Sequence, residues 1–151
     1  MSETARLRFQ RANFVVEDID RALTFYRDVL GFHEEFRLPH NPDSYSLPVF
    51  AIPEGATIGF SVLSAPGQPR VMALTEIKDV PLEPVPHPRR SAIVLETADP
   101  DAVMVGARKL GLQVYDEAVL KTHDGRVGRE VGIVDFDDNL VVIYLLPDAG
   151  E

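Results

Sequence analysis

Residues 11–32, RANFVVEDIDRALTFYRDVLGF, decide the fold. A short apolar stretch at 12–16 runs into an acidic start at Asp18 or Asp20, where a carboxylate satisfies the first free N–H groups of a helix and opposes its dipole. Ile19, Ala22, Leu23, Tyr26, Val29 and Leu30 then recur at the i, i+3, i+4, i+7 spacing that gives a helix one apolar face. Gly31 follows as the C-cap. The stretch therefore reads as a strand feeding an amphipathic helix.

Downstream, HEEFRL (33–38) is strand-like, and two β-rich runs follow, SYSLPVFAIP (44–53) and ATIGFSVLSAP (56–66), parted by the turn signal Pro53-Glu54-Gly55. The order is β-α-β-β-β through about residue 65. Residues 66–90 hold six of the twelve prolines and leave room for one plausible strand, Arg70–Ile77, so they read as a linker. The plan then repeats. SAIVLETADPDAVMVGARKLGLQVY (91–115) gives an apolar strand, Asp99-Pro100 as N-cap and first helical residue, apolar Val103, Gly106/Ala107 and Leu110, and Gly111 as the stop. The two copies are offset by about 80 residues. GREVGIVDF and NLVVIYLL close the chain around the turn Asp137-Asp138-Asn139. We expect an α+β protein of two tandem βαβββ modules, residues 1–65 and 91–151, joined by the Pro-rich linker 66–90 into one domain.

At 151 residues, 45% hydrophobic and 26% charged, the chain suits one compact domain. No apolar run approaches the ~18 residues needed to cross a bilayer, and the N-terminus MSETARLRF is polar, so we expect a cytoplasmic protein with no membrane partner. The absence of cysteine excludes disulfides, thiolate nucleophiles and cysteine metal sites. A net charge of −9, with no basic cluster beyond Arg89-Arg90, argues against a nucleic-acid partner.

VVEDIDRALTFYRDVLGF and the closing GREVGIVDFDDNLVVIYLLP resemble the vicinal-oxygen-chelate superfamily, which includes glyoxalases, bleomycin resistance proteins and dioxygenases. Asp18, Arg21, Phe25, Tyr26 and Leu30-Gly31-Phe32 match its first strand and helix. Asp135-Phe136-Asp137-Asp138-Asn139 is similar to its D-P-D-G-N turn, with Phe136 in place of Pro and Asp138 in place of Gly. The resemblance implies a curved mixed sheet whose concave face holds the site. It also implies metal ligands, usually His, Gln or Glu, on the first and last strands of each half. Those positions fall on Arg11, Gly59, Ala92 and Val142, none of them a ligand, and a slip of one residue offers only Gln10. A guanidinium at the first position would also repel a cation. No metal and no other cofactor is expected.

Strand alternation gives a second reading of the same positions. With Ala12, Phe14 and Val16 turned to the helix, Arg11, Asn13 and Val15 face the cavity; Gly59 shares a face with Ser61, and Val142 with Tyr144. Arg11, Asn13, Ser61, Val142 and Tyr144 are the expected ligand contacts, suited to an organic molecule with an anionic or carbonyl group. Glu130, next to Arg129, and Tyr144 are the acid/base candidates if the protein catalyses a reaction. His33, His40, His87 and His123 have no partner at metal-pair spacing, and Asp135, Asp137 and Asp138 read as a solvated turn. Two functions stay open: a metal-free, homodimeric binder of a small molecule, and a glyoxalase-like lyase, isomerase or ring-cleaving dioxygenase with an atypical site.

Overall fold

The computed structural model describes residues 6–147. The first module runs β1 (Ala12–Val16), α1 (Ile19–Tyr26), β2 (His33–Leu38), a short helix α2 (Ser46–Val49), β3 (Thr57–Ala65) and β4 (Gln68–Lys78). Its mixed sheet has the order β1-β4-β3-β2, with β1 parallel to β4. The second runs β5 (Ala92–Glu96), α3 (Pro100–Lys109), β6 (Gln113–Val114), β7 (Ala118–Lys121), β8 (Val127–Val134) and β9 (Leu140–Leu145). Its sheet repeats the plan as β5-β9-β8-β6, β7 also pairing with β8 and β5 lying parallel to β9. The chain is thus an α+β protein of two modules on the βαβββ plan, the strand beside β8 in the second being divided into β6 and β7. No helix among the described residues is long and apolar enough to cross a membrane.

Local chemistry starts α1 and α3 where the sequence indicates; α1 ends sooner than expected, at Tyr26 with Arg27 as its C-cap, and residues 27–30 continue to Gly31 as turns. Asp18 accepts from the Arg21 N–H at 3.1 Å, and Asp99 from Ala102 N–H at 3.0 Å, ahead of Pro100; such caps contribute ~1 kcal/mol each. Gly31 and Gly111 take φ of +89° and +79°, the left-handed turn that releases the chain from each helix.

One boundary differs from the sequence reading. The run 44–53 forms no strand: Pro48 and Pro53 lack N–H donors, and the segment forms α2 and exposed turns. The fourth strand is instead β4, inside the stretch read as linker. Gly67 and Pro69 belong to the tight β3–β4 hairpin, residues 72–76 then pair with both β1 and β3, and 77–78 continue on β3. The connection proper is residues 79–91, where Pro81, Pro84, Pro86 and Pro88 lie.

The two modules share one core. Phe14, Val16, Leu63, Met72 and Leu74 of the first sheet, and Val131, Ile133, Val141 and Ile143 of the second, pack with the buried faces of α1 and α3 into a single cluster. Each sheet thus has an inner face, turned to the helices, and an outer face. α3 packs closely on the turn that follows α1: a Cβ on Gly106 would lie 2.9 Å from Val29 Cγ1.

A polar network fastens α1 to the β8–β9 turn. The Tyr26 hydroxyl donates to Asp135 Oδ2 at 2.7 Å, and Asp135 Oδ1 accepts from the N–H groups of Asp137 and Asn139, both at 2.8 Å. The Asn139 amide donates to the Val15 carbonyl, and Arg21 donates to Asp137 Oδ1 at 3.1 Å. The turn expected to be solvated is therefore a junction: Asp135 is buried, and the Asp137 side chain is 4% exposed. Asp138, where the related turn has Gly, takes φ +67° and is held by Arg89.

Candidate functional site

Register fixes which side chains reach the outer faces. In the first sheet Asn13 lies opposite Ala73 and Val15 opposite Thr75, while Ala73 and Thr75 face Val62 and Phe60 across β3. Because Phe14 and Val16 point to the helix, this set points outward. Its polar members are Asn13 and Thr75, the Thr75 hydroxyl donating to Asn13 Oδ1 at 3.0 Å. Asn13 Nδ2 is buried with no partner among the described residues, a donor whose desolvation costs ~1–3 kcal/mol until something accepts from it. Arg11 precedes β1, is exposed, and makes no ion pair among the described residues, with Glu130 or any other acid.

Ser61 does not belong to this set. It lies opposite Leu74 on the inner face, fully buried, and its hydroxyl donates to Glu34 Oε2 at 2.5 Å. Glu34 in turn holds Arg37, which reaches Asp20 of α1 at 2.9 Å. Gly59 also faces inward: a Cβ there would meet Glu76 Oε1 at 3.2 Å and Ile19 Cδ1 at 3.5 Å. The expectation that these two residues line the cavity came from treating β3 as the last strand of its half.

With β4 as that last strand, Asn13 opposite Ala73 corresponds to Val94 opposite Val142. The four positions that the resemblance marks for metal ligands are then Arg11, Ala73, Ala92 and Val142. They offer one guanidinium and three hydrocarbon side chains, so they do not fit a divalent ion. Among the described residues no three His, Asp or Glu side chains come together to hold a metal.

In the second sheet, Glu96, Tyr144 and Glu130 lie opposite one another on β5, β9 and β8, in one row across the outer face, with Val94 and Val142 beside them. Burial, and then the charge of Glu96, raise the Tyr144 phenol above its ordinary pKa, with Arg126 acting the other way. Arg129 points inward to Asp101 and Glu117, so the two members of the Arg129-Glu130 step serve opposite faces. A cavity of about 530 Å³ opens along the free edge of β5, lined by Phe32, Gln68, Val94, Glu96 and Tyr144 among others. A second, of about 370 Å³, adjoins Phe9, Ala12, Val71 and Ala92.

Three residues of these faces escaped the sequence reading. Thr75 was hidden in the supposed linker. Tyr115 lies over Gly132, where a Cβ would be 3.3 Å from its ring, and Arg89 donates to the Tyr115 hydroxyl at 2.9 Å and to Asp138 at 2.6 Å. In the sequence Arg89 stands out only as part of the Arg89-Arg90 pair, the one basic cluster of an acidic chain. Of the histidines, His40 Nδ1 accepts from the Ile58 N–H at 3.0 Å and His87 lies 3.6 Å from Asp138; both serve the fold.

Two βαβββ modules, each pairing its first strand in parallel with its last, define the class of protein that the repeat in the sequence announces. Residues 8–143 match the model of the Glyoxalase/Bleomycin resistance protein/Dioxygenase superfamily, and the chain belongs to that superfamily. Among solved structures it is similar to a glyoxalase family protein from Bacillus cereus (TM-score 0.72, 17% identity, 98% of this chain and 99% of the other). It is also similar to a glyoxylase/bleomycin resistance protein/dioxygenase domain from a Frankia species (TM-score 0.66, 15% identity, 99% and 95%). A third is a mutant of the fosfomycin resistance protein from Listeria monocytogenes, complexed with Mn(II) and 1S,2S-dihydroxypropylphosphonic acid (TM-score 0.59, 16% identity, 94% and 93%). These identities speak for the fold alone. No curated protein matches the chain by sequence.

Proposed function

We propose that this chain is a metal-independent, cytoplasmic member of the superfamily that binds a small organic molecule on the outer faces of its sheets. The observation that carries this reading is the ligand set: Arg11, Ala73, Ala92 and Val142 replace the nitrogen and oxygen donors that a divalent ion requires. Asn13 Nδ2 supplies a desolvated donor for a ligand oxygen, Arg11 a second, charged one at the open end of β1, and Val142 and Tyr144 a wall on the other module. The Listeria neighbour is complexed with a small phosphonic acid as well as Mn(II), and supports the ligand class and not the metal. We further propose a homodimer, supported by the free edge of β5 and by Val94, 63% exposed beside it.

Elemental analysis of the purified protein, paired with a thermal-shift screen against divalent metals and a small-molecule panel, tests the reading. We expect no stoichiometric metal, stabilisation by an organic ligand, and a solution mass of twice 16.8 kDa. One Mn, Fe, Ni or Zn per chain would overturn metal independence. A second reading, acid/base catalysis, is favoured by the single row Glu96–Tyr144–Glu130, which sets a phenol between two carboxylates. Turnover of a bound ligand that Tyr144→Phe abolishes without loss of binding would establish it.

A further inference from the structure

β5 is a free edge of the second sheet, and its register says which of its backbone groups are unpaired. The Thr97 N–H donates to the Tyr144 carbonyl at 2.9 Å, and in a parallel pair the residues that bond to the neighbouring strand alternate. Ile93 and Leu95 therefore bond to β9, and the N–H and C=O groups of Ala92, Val94 and Glu96 point to the open edge. We propose that residues 6–10 of a second copy of this chain dock there as an added strand, the two copies exchanging these arms. The inference rests on the homodimer proposed above and says what joins it.

Beside this edge the two cavities described above adjoin. Both are bounded by Phe32, Ala65, Gln68, Val94 and Leu95, so they form one groove between β5 and the first module. On the inner side of β5 its wall is apolar, with Phe32, Leu95 and Ile143; on the outer side stands Glu96, with Tyr144 opposite it on β9. An unpaired strand edge with apolar pockets beside it is the geometry by which a sheet accepts an extended segment.

Arg6-Leu7-Arg8-Phe9-Gln10 has the matching pattern. As a strand it puts Leu7 and Phe9 on one face and Arg6, Arg8 and Gln10 on the other. In the single chain it belongs to no strand, and Leu7 and Phe9 are 86% and 78% exposed. Phe9 borders the smaller cavity of its own chain without any pairing there, so the edge stays open to a second copy. Docked on that copy, Leu7 and Phe9 enter the groove, and the arginines come to the outer face beside Glu96. Arg6, Arg8 and Glu96 make no ion pair among the described residues of one chain, so the exchange joins charges that are otherwise unmatched. Each copy offers one arm and one edge, and a two-fold exchange uses both and leaves no β5 edge for further growth. A guanidinium from the second copy thereby completes the outer-face site at the Glu96–Tyr144–Glu130 row.

The chain contains no cysteine, so introduced pairs report proximity without background. The test is mild oxidation of three double variants of the full chain, Arg6→Cys, Arg8→Cys and Gln10→Cys, each combined with Val94→Cys and read on non-reducing gels. Light scattering of the parent and of Leu7→Ser/Phe9→Ser over a dilution series accompanies it. We expect a covalent dimer from at least one pair and none from Val94→Cys alone. Leu7→Ser/Phe9→Ser should raise the dimer dissociation constant at least tenfold with an unchanged circular dichroism spectrum; the cysteine pairs carry the test should that variant not fold. A parent of 16.8 kDa in solution overturns the homodimer and the arm exchange together. With a dimeric parent, the arm exchange alone is overturned by an unchanged dissociation constant in Leu7→Ser/Phe9→Ser or by a disulfide closed within one chain. It is equally overturned by a covalent dimer from Val94→Cys alone, which would pair β5 with β5, or by no covalent product from any of the three pairs.

Discussion

Replacing Asp137 by asparagine removes a titrating group from the junction between the modules. Burial raises this carboxyl from its ordinary 3.8 to about 6, with the charge of Asp135 adding to the effect, while the Glu17 N–H and Arg21 act against it. The folded protein therefore holds the Asp137 proton more tightly than the unfolded chain does. The stability this contributes is fully present below pH 3.8 and is lost as pH rises through about 6. At 1.36 kcal/mol per pH unit, the interval corresponds to about 3 kcal/mol of penalty on the charged form. Asparagine at this position keeps an oxygen for Glu17 N–H and Arg21 and carries no charge to desolvate. We expect Asp137→Asn to be at least as stable as the parent at pH 7.5, and the difference to shrink by about 2–3 kcal/mol by pH 4. Urea unfolding of both proteins at closely spaced pH values measures this directly. A variant less stable than the parent at pH 7.5 by a margin that does not vary with pH would refute the argument, and would assign the dominant role to the ion pair with Arg21.

Arg11→Met should leave the unfolding free energy within about 0.5 kcal/mol, because Arg11 is exposed, and weaken the ligand identified by thermal shift roughly tenfold; unchanged affinity in calorimetric titration removes Arg11 from the site. Tyr26→Phe deletes the 2.7 Å bond to Asp135 and should cost about 1.5–3 kcal/mol in chemical denaturation, and a neutral result would show that Asn139 alone satisfies Asp135 Oδ2. Gly106→Ala drives a methyl to 2.9 Å from Val29 Cγ1 and should cost about 1–3 kcal/mol, with much of the loss recovered in the double variant with Val29→Ala.

The elements carried by short-range signals could be read from the sequence. Asp18 and Asp99 cap the helices they announce, and the apolar spacing from Ile19 to Tyr26 is the face that α1 buries. What escaped depends on partners far along the chain. β4 is legible as a plausible strand at Arg70–Ile77 but falls within the linker, because Pro69 and the run of prolines from Pro81 frame it and only pairing with β1 and β3 makes it part of the first sheet. Ser61 was turned to the wrong face because inward and outward on β3 are settled by its register with Leu74. Asp135 and Asp137 look like turn acids locally, and their burial follows from Tyr26 and Arg21, more than a hundred residues earlier. The outward placement of Asn13 needed only β-strand periodicity, whereas Arg11, Ala92 and Val142 were marked as ligand positions by the family resemblance alone, and the register puts Ala73 in place of Gly59 as the remaining one.

The shared core also governs how the chain comes into being on the ribosome. The inner side of α1, with Phe25 and Tyr26, belongs to a core cluster that includes residues as late as Val141 and Ile143, and the Tyr26 hydroxyl meets its acceptor only at Asp135. The N-terminal half emerges first and cannot close its apolar face until nearly all of the protein has been synthesised. At about 5–20 residues per second, the interval between residues 26 and 143 lasts several seconds or more. During that time the nascent first module presents a sheet edge and an unburied helix to the cell, so co-translational chaperone engagement should concentrate on the window before β9 leaves the exit tunnel.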